Sequence, residues 1–277
     1  MQERVQLSVS VDRNWIGDWR AVTLSLLAPL APDGIAEYPF GYEFSFGHYP
    51  ENLEAIVDVL KEKRIHATVS VSRSFSEREL MKSEFLLLET TQELSTKPDT
   101  LRKACRMFCT HCGFEEPIYD LSHLQIARKP KGNELALADS SVRIVSHGLA
   151  AALTKAGLAG LQLTPLGGAD EWWNIDSNHI LPPLKVPPTR IRWTNRRTPR
   201  CLPNHAFYSR PDSQMFYGVE QFNAVEVNAT YEHYGASCHG ARSLIIANRV
   251  YQLLVALEVR GFRCEPIGLA DSLITQP

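Results

Sequence analysis

Three cysteines stand at Cys105, Cys109 and Cys112 in the run CRMFCTHCG, in a chain of 277 residues with six cysteines in all. Cys109-Thr-His-Cys112 followed by Gly113 is a CxxCG knuckle: a tight turn lets two thiolates face one ion, and glycine relieves strain where backbone amides approach the sulfurs. Structural zinc takes four ligands, so a knuckle needs a partner. The run Cys201-Leu-Pro-Asn-His205 offers a cysteine and a histidine, and Cys109, Cys112, Cys201 and His205 would together form a Cys3His zinc site. Cys105 and the Cys238-His239 pair are substitutes.

The triple spacing also suits an iron–sulfur cluster with one open iron, which would make the chain a metalloenzyme. That spacing, with His111 ahead of the last cysteine, is typical of radical S-adenosylmethionine enzymes, but the series of strand-helix units that their barrel needs after the cluster is missing here, since loops and prolines follow residue 170. A redox pair of the thioredoxin type would open a helix that follows a strand, where the helix dipole lowers the thiol pKa. PDTLRKACRMF reads as a helix ahead of the pair, on the wrong side. Reduced cysteines packed as small hydrophobes are the remaining reading.

No GxSxG, HExxH, P-loop or strand-borne GxGxxG occurs, so no catalytic residues are assigned. Arg190, Arg192, Arg196, Arg197 and Arg200 surround Trp193 in an acid-free run. Such a run suits acidic protein surfaces, or phosphates with an indole stacked on a base. With a sequence pI near 6.5, nucleic acid is the weaker option and a zinc-knuckle nucleic-acid binder stays an alternative.

The composition is that of a globular protein, 44% hydrophobic and 22% charged with a net charge of −2, without low-complexity tracts. MQERVQLSVSVDRNW is charged from its third residue and lacks the apolar core of a signal peptide, so a cytoplasmic location with reduced thiols is expected. AVTLSLLAPLAP, at 21–32, is too short and too interrupted by proline to cross a bilayer.

These residues must be positioned by elements whose periodicity is readable. ERVQLSVSV, AVTLSLLA and GYEFSF predict an antiparallel sheet; residues 51–63 carry Leu53, Ile56, Val57 and Leu60 at helical spacing, and IHATVSV follows as a strand. EFLLLET is a buried-strand candidate. Residues 142–167 and 243–268 align without a gap, with Ile144 on Ile245, Leu149 on Val250, Leu153 on Leu254, Gly160 on Gly261 and Pro165 on Pro266. Each predicts strand, amphipathic helix, glycine turn and strand, by duplication or by convergence of two ordinary units. Residues 167–240, rich in Pro, aromatics and Arg, predict an ordered, loop-dominated region. The expected fold is α+β: a sheet-rich N-terminal portion over 1–97, and a portion over 98–277 with the knuckle and two similar strand-helix-strand units.

CxxCG, then a strand-helix-strand unit, an aromatic stretch with a second cysteine site, and ARSLIIANRVYQLLVALEVRGFRCEPIG near the end together resemble the bacterial double-CxxCG motif proteins, a paralogous group that includes immunity proteins. The resemblance spans about residues 80 to 270. It departs at the second motif, where CLPNH keeps Cys201 but has Asn204 in place of the second cysteine. It implies a non-catalytic protein that binds and occludes a cognate toxin-like partner. A buried aromatic and arginine cluster inside a polar rim would do this, with Trp172, Trp173, Arg192, Trp193, Arg196 and Arg197 as candidates.

Overall fold

The computed structural model describes residues 1–11, 18–110, 115–139, 142–167, 171–185, 189, 207–208, 213–234 and 241–270; for 103–108, 115–117 and 207–208 it describes the backbone alone. The fold is α+β with antiparallel sheets. It divides into two compact units, Met1–Ser76 and Glu77–Pro277. The boundary lies upstream of the expected 97/98, because the strand EFLLLET is an internal strand of the second unit.

The N-terminal unit runs β1 (Gln2–Ser10), α1 (Trp19–Leu27), β2 (Gly34–Tyr38), β3 (Gly41–Phe46), α2 (Leu53–Glu62) and β4 (His66–Ser74). Its sheet has the order β2-β3-β1-β4, all antiparallel. Alternation puts Val5, Leu7 and Val9 on the inner face with Phe44 and Phe46, as period-2 patterning requires. Leu53, Val57 and Leu60 of α2 close that core. AVTLSLLA, expected as a strand, lies within α1. The Asp18 side chain accepts a hydrogen bond from the Ala21 N–H at 3.0 Å and caps the helix, while Thr23 and Leu27, four apart, are its buried residues. Capping and burial at helical spacing outweigh the strand preference of Val22 and Thr23.

The C-terminal unit runs α3 (Glu77–Lys82), β5 (Phe85–Thr90), β6 (Glu93–Leu94), β7 (Lys103–Phe108), β8 (Glu115–Tyr119), β9 (Leu135–Ala138), β10 (Val142–Ser146), α4 (His147–Ala156), β11 (Leu161–Pro165), β12 (Trp172–Ser177), β13 (Phe207–Tyr208), β14 (Phe216–Gly218), β15 (Val227–Tyr234), β16 (Ala241–Ala247), α5 (Asn248–Ala256), β17 (Phe262–Pro266) and β18 (Gly268–Ala270). The two aligned stretches are β10-α4-β11 and β16-α5-β17, whose bounds coincide at the helix starts and the closing strands and differ elsewhere by at most two residues. The region expected as loops nevertheless holds β12 and β15, both internal to sheets.

One sheet has the order β11-β12-β10-β9-β6, the other β13-β15-β16-β5-β17. They are the same sheet built twice: in each, a parallel edge pair (β6-β9, β13-β15) is followed by three antiparallel pairings. β12 follows β11 in the chain, whereas its counterpart β5 precedes everything else in its sheet. The closing strand of the second repeat is thus supplied from the front of the unit.

Contacts between the repeats exchange as a twofold relation demands. Leu135 N–H donates to the Arg260 carbonyl at 2.9 Å, and Val227 N–H to that of Ala159 at 3.0 Å. Leu137 N–H reaches Gln92 O and Ala229 N–H reaches His179 O, while inside each repeat Gly261 O accepts from the Thr91 N–H and Gly160 O from the Asn178 N–H. The inner faces of both sheets and both helices share one apolar core, with Leu86, Leu88, Leu135, Val145, Leu149, Leu153, Leu244, Ile246, Val250 and Leu254 among its members. Among the described residues no helix is long and apolar enough to cross a membrane.

Candidate functional site

The CxxCG motif begins at Cys109, directly after the first of two paired strands. β7 and β8 pair antiparallel, Lys103 opposite Tyr119 and Phe108 opposite Glu115, with a register shift between Cys105 and Met107. The helix expected across PDTLRKACRMF is not formed. The residues before Cys109 are a strand, because EEPIY returns alongside and pairs with KACRMF, and cross-strand pairing overrides the helical preference of Leu101, Lys103 and Ala104. Cys105 lies opposite Pro117 in that ladder.

Cys109 follows the last residue of β7 and is buried. Cys112, Cys201 and His205 lie outside the described residues, as do Arg192, Trp193, Arg196 and Arg197. Among the described residues no group of three or more His, Cys, Asp or Glu side chains is close enough to hold an ion. Cys264, on β17, packs half-buried against the shared core; burial first, and Glu89 second, push its thiol up to about 12, which disfavours the thiolate that reacts or binds metal.

The hairpin has a defined place in the repeat. It leaves the first repeat after Thr100, whose Oγ1 accepts from the Gln125 N–H at 3.3 Å, and returns at Leu121, whose carbonyl accepts from Gly167 at 3.0 Å. In the second repeat Thr189 Oγ1 accepts from Phe216 N–H at 2.9 Å, and Met215 O accepts from Gly268 N–H at 2.8 Å. Gly167 and Gly268 are aligned partners in the duplicated stretches. CTHCG and CLPNH are therefore inserted at equivalent points of the two repeats, one between Thr100 and Leu121, the other between Thr189 and Met215.

Of the aromatic candidates, Trp172 is buried at 4% exposure. Its indole N–H donates to the Arg128 carbonyl at 2.9 Å, and the Arg128 guanidinium lies 5.8 Å from its ring centroid. Trp172 is a core residue and presents no surface to a partner. Adjacent side chains of a strand point to opposite faces, so Trp173 packs half-buried against the shared core, 6.2 Å from the His147 ring.

Two charged groups emerge only from the fold. Glu134, 3% exposed, accepts from Arg128 at 2.9 Å, from the Lys131 N–H at 2.9 Å and from Arg260 at 3.2 Å. Burial alone would raise its carboxyl, but these donors outweigh it and hold the group below the ordinary glutamate range. Its counterpart Glu226 accepts from the Ala159 N–H at 2.9 Å and pairs with Arg249 at 2.8 Å. In each repeat, then, the glutamate ahead of the inner strand binds the glycine turn of the other repeat. Glu232, 4% exposed, accepts from Leu184 N–H at 2.7 Å through one carboxyl oxygen. Among the described residues, its other oxygen and the hydroxyl of fully buried Tyr217 have no hydrogen-bond partner. Desolvation raises the Glu232 carboxyl and the Tyr217 hydroxyl alike. A Glu, Arg or Tyr at such positions carries no local motif; only the pairing of residues distant in the chain reveals them.

Comparison of the chain with protein-family models, with curated proteins and with solved structures gave no match.

Proposed function

We propose that the chain is a non-catalytic, immunity-like binding protein of the cytoplasm that neutralises a cognate toxin by direct contact. What supports this reading is the equivalent placement of CTHCG and CLPNH in the two repeats. A double-motif protein is expected to carry its two cysteine motifs in this way, so the replacement at Asn204 reads as divergence of one copy. The second copy lies in the arginine-rich stretch with Arg192, Trp193, Arg196 and Arg197, the chemistry that dominates protein interfaces. Co-expression with the product of an adjacent toxin-like gene should give a complex that survives size-exclusion chromatography and abolishes toxicity. Toxicity undiminished by the full-length chain, with no complex formed, refutes the reading.

The same reading assigns zinc a structural role at Cys109, Cys112, Cys201 and His205. The donor set of three thiols and an imidazole suits such an ion, and the β7-β8 ladder would fix the approach of Cys109 to it. Metal binding of this kind is coupled to folding. Elemental analysis should find about one zinc per chain, and chelator and Cys109→Ser should each lower the Tm, with no further loss when combined. Equal melting temperatures with and without chelator would remove zinc from the proposal.

A further inference from the structure

A cleft of about 240 Å³ opens in the C-terminal unit, lined by Leu88, Glu89, Thr90, Leu137, Arg143, Tyr234, Ala241, Ser243 and Arg263. β5, β9, β10, β15, β16 and β17 all contribute to it, so both repeats form its walls. Arg143 breaks the pattern of its strand. It shares a face with Val145, which lies in the core common to the repeats, and its aligned position in the second repeat is Leu244. A guanidinium therefore stands where the duplicated architecture elsewhere places an aliphatic side chain.

That guanidinium is poorly compensated. It has five N–H donors, and among the described residues its side chain makes one hydrogen bond, to the Arg242 carbonyl at 2.5 Å. Among the described residues no carboxylate lies within ion-pair distance of it. Desolvation holds Arg143 below the ordinary arginine range, and the more distant Asp176 offsets this only in part. Arg143 is half-buried, a cation drawn out of water is costly unless paired and hydrogen-bonded, and the single bond to the Arg242 carbonyl leaves most of its donors open to a ligand.

The lining defines what would pair with it. Arg263 is already engaged by Glu89, so the formal charge across the cleft is one positive unit, centred on Arg143. Glu89 would repel a dianion. The Thr90 and Ser243 hydroxyls can donate to a second anionic oxygen, and Leu88 and Leu137 give the cleft an apolar wall. Arginine's planar fork matches a carboxylate through two parallel hydrogen bonds. We propose that this cleft binds a small organic monocarboxylate, held in a fork by Arg143 with its short apolar end against Leu88 and Leu137. The site is independent of the partner-binding reading and would stand if that reading fell.

Thermal melts of the full chain in sodium butyrate, with sodium chloride and sodium phosphate at matched ionic strength, test it. Butyrate at about tenfold its Kd should raise the Tm by roughly 3 to 5 °C in a saturable manner. Chloride should give no saturable rise, and phosphate less than butyrate. Arg143→Met should lose the shift while still melting cooperatively. If that variant does not fold, Ser243→Leu decides, because it fills the cleft and keeps both guanidinium groups; it too should lose the shift. No saturable rise with butyrate overturns the proposal, as does a rise that persists in a folded cleft variant. A larger response to phosphate overturns the assignment to a monocarboxylate.

Discussion

Glu134→Ala should destabilise the C-terminal unit by about 3 kcal/mol, because it removes the acceptor shared by two guanidinium groups and a backbone amide. The figure sits at the lower end of the range for a broken buried pair, since the Arg260 side chain is 57% exposed and Arg128 31%, and both can turn to water. In a unit of this size the Tm should fall by roughly 6 to 12 °C. Arg260→Ala alone should cost about 1 kcal/mol, as befits an exposed partner. In a double-mutant cycle the second substitution should add little, because the two residues share one contact. The pH dependence follows from the depressed Glu134 carboxyl. Its contribution is present above the unfolded glutamate pKa, near 4.3, and is lost as pH falls through the lower folded value. Urea titrations between pH 7 and pH 3 should show wild type losing more stability than Glu134→Ala. Parallel curves would show that the carboxylate contributes nothing.

Gly160→Ala and Gly261→Ala should each cost about 3 kcal/mol or more, by two mechanisms that act together. Both glycines have positive φ, +82° and +87°, where an L side chain costs roughly 1 to 2 kcal/mol. A Cβ would also stand 2.1 Å from the Val227 carbonyl oxygen in one case and 2.1 Å from that of Leu135 in the other. Those carbonyls belong to the inner strands β15 and β9, which cannot retreat without opening the shared core. Gly157 is the internal control. Its φ is +62° as the C-cap of α4, but nothing lies within 4 Å of its Cβ position, so Gly157→Ala should cost about 1 kcal/mol. Chemical denaturation separates these outcomes. Equal small losses at all three positions would mean that the repeats do not approach each other closely at their turns.

The duplicated β-α-β stretches were legible because each carries its signal locally: β-branched strands, an apolar stripe at helical spacing, and a glycine at the turn. Alternation likewise revealed β1, β3 and β4. Local reasoning failed where a distant segment made the decision. KACRMF has helical preferences and became a strand because EEPIY pairs with it. AVTLSLLA has strand preferences and became a helix because Asp18 caps it and its period-3.6 face meets a core. EWWNIDS, read as loop for its aromatics and polar residues, is the middle strand between β10 and β11, and this is what buries Trp172.

The candidate site divides in the same way. CxxCG and CLPNH were recognisable from residue types and spacing, since a turn with thiols is a local property. Their equivalence was not, because it rests on the hydrogen bonds of Thr100, Leu121, Thr189 and Met215 to residues that are far away in the chain or unlike in sequence. Glu134, Glu232 and Arg143 had no motif to announce them.

The sequence alone determined the α+β class, the two strand-helix-strand units and the chemistry available at the cysteines, because periodicity and short-range turns are encoded within a few residues. Only the tertiary structure decided that β5 completes the second repeat from the front of the unit, that each glycine turn rests on the strand of the other repeat, and that Arg143 of the first repeat reaches the Arg242 carbonyl of the second. Those outcomes depend on which segments bury each other's apolar faces and satisfy each other's backbone, a choice made by the whole chain at once.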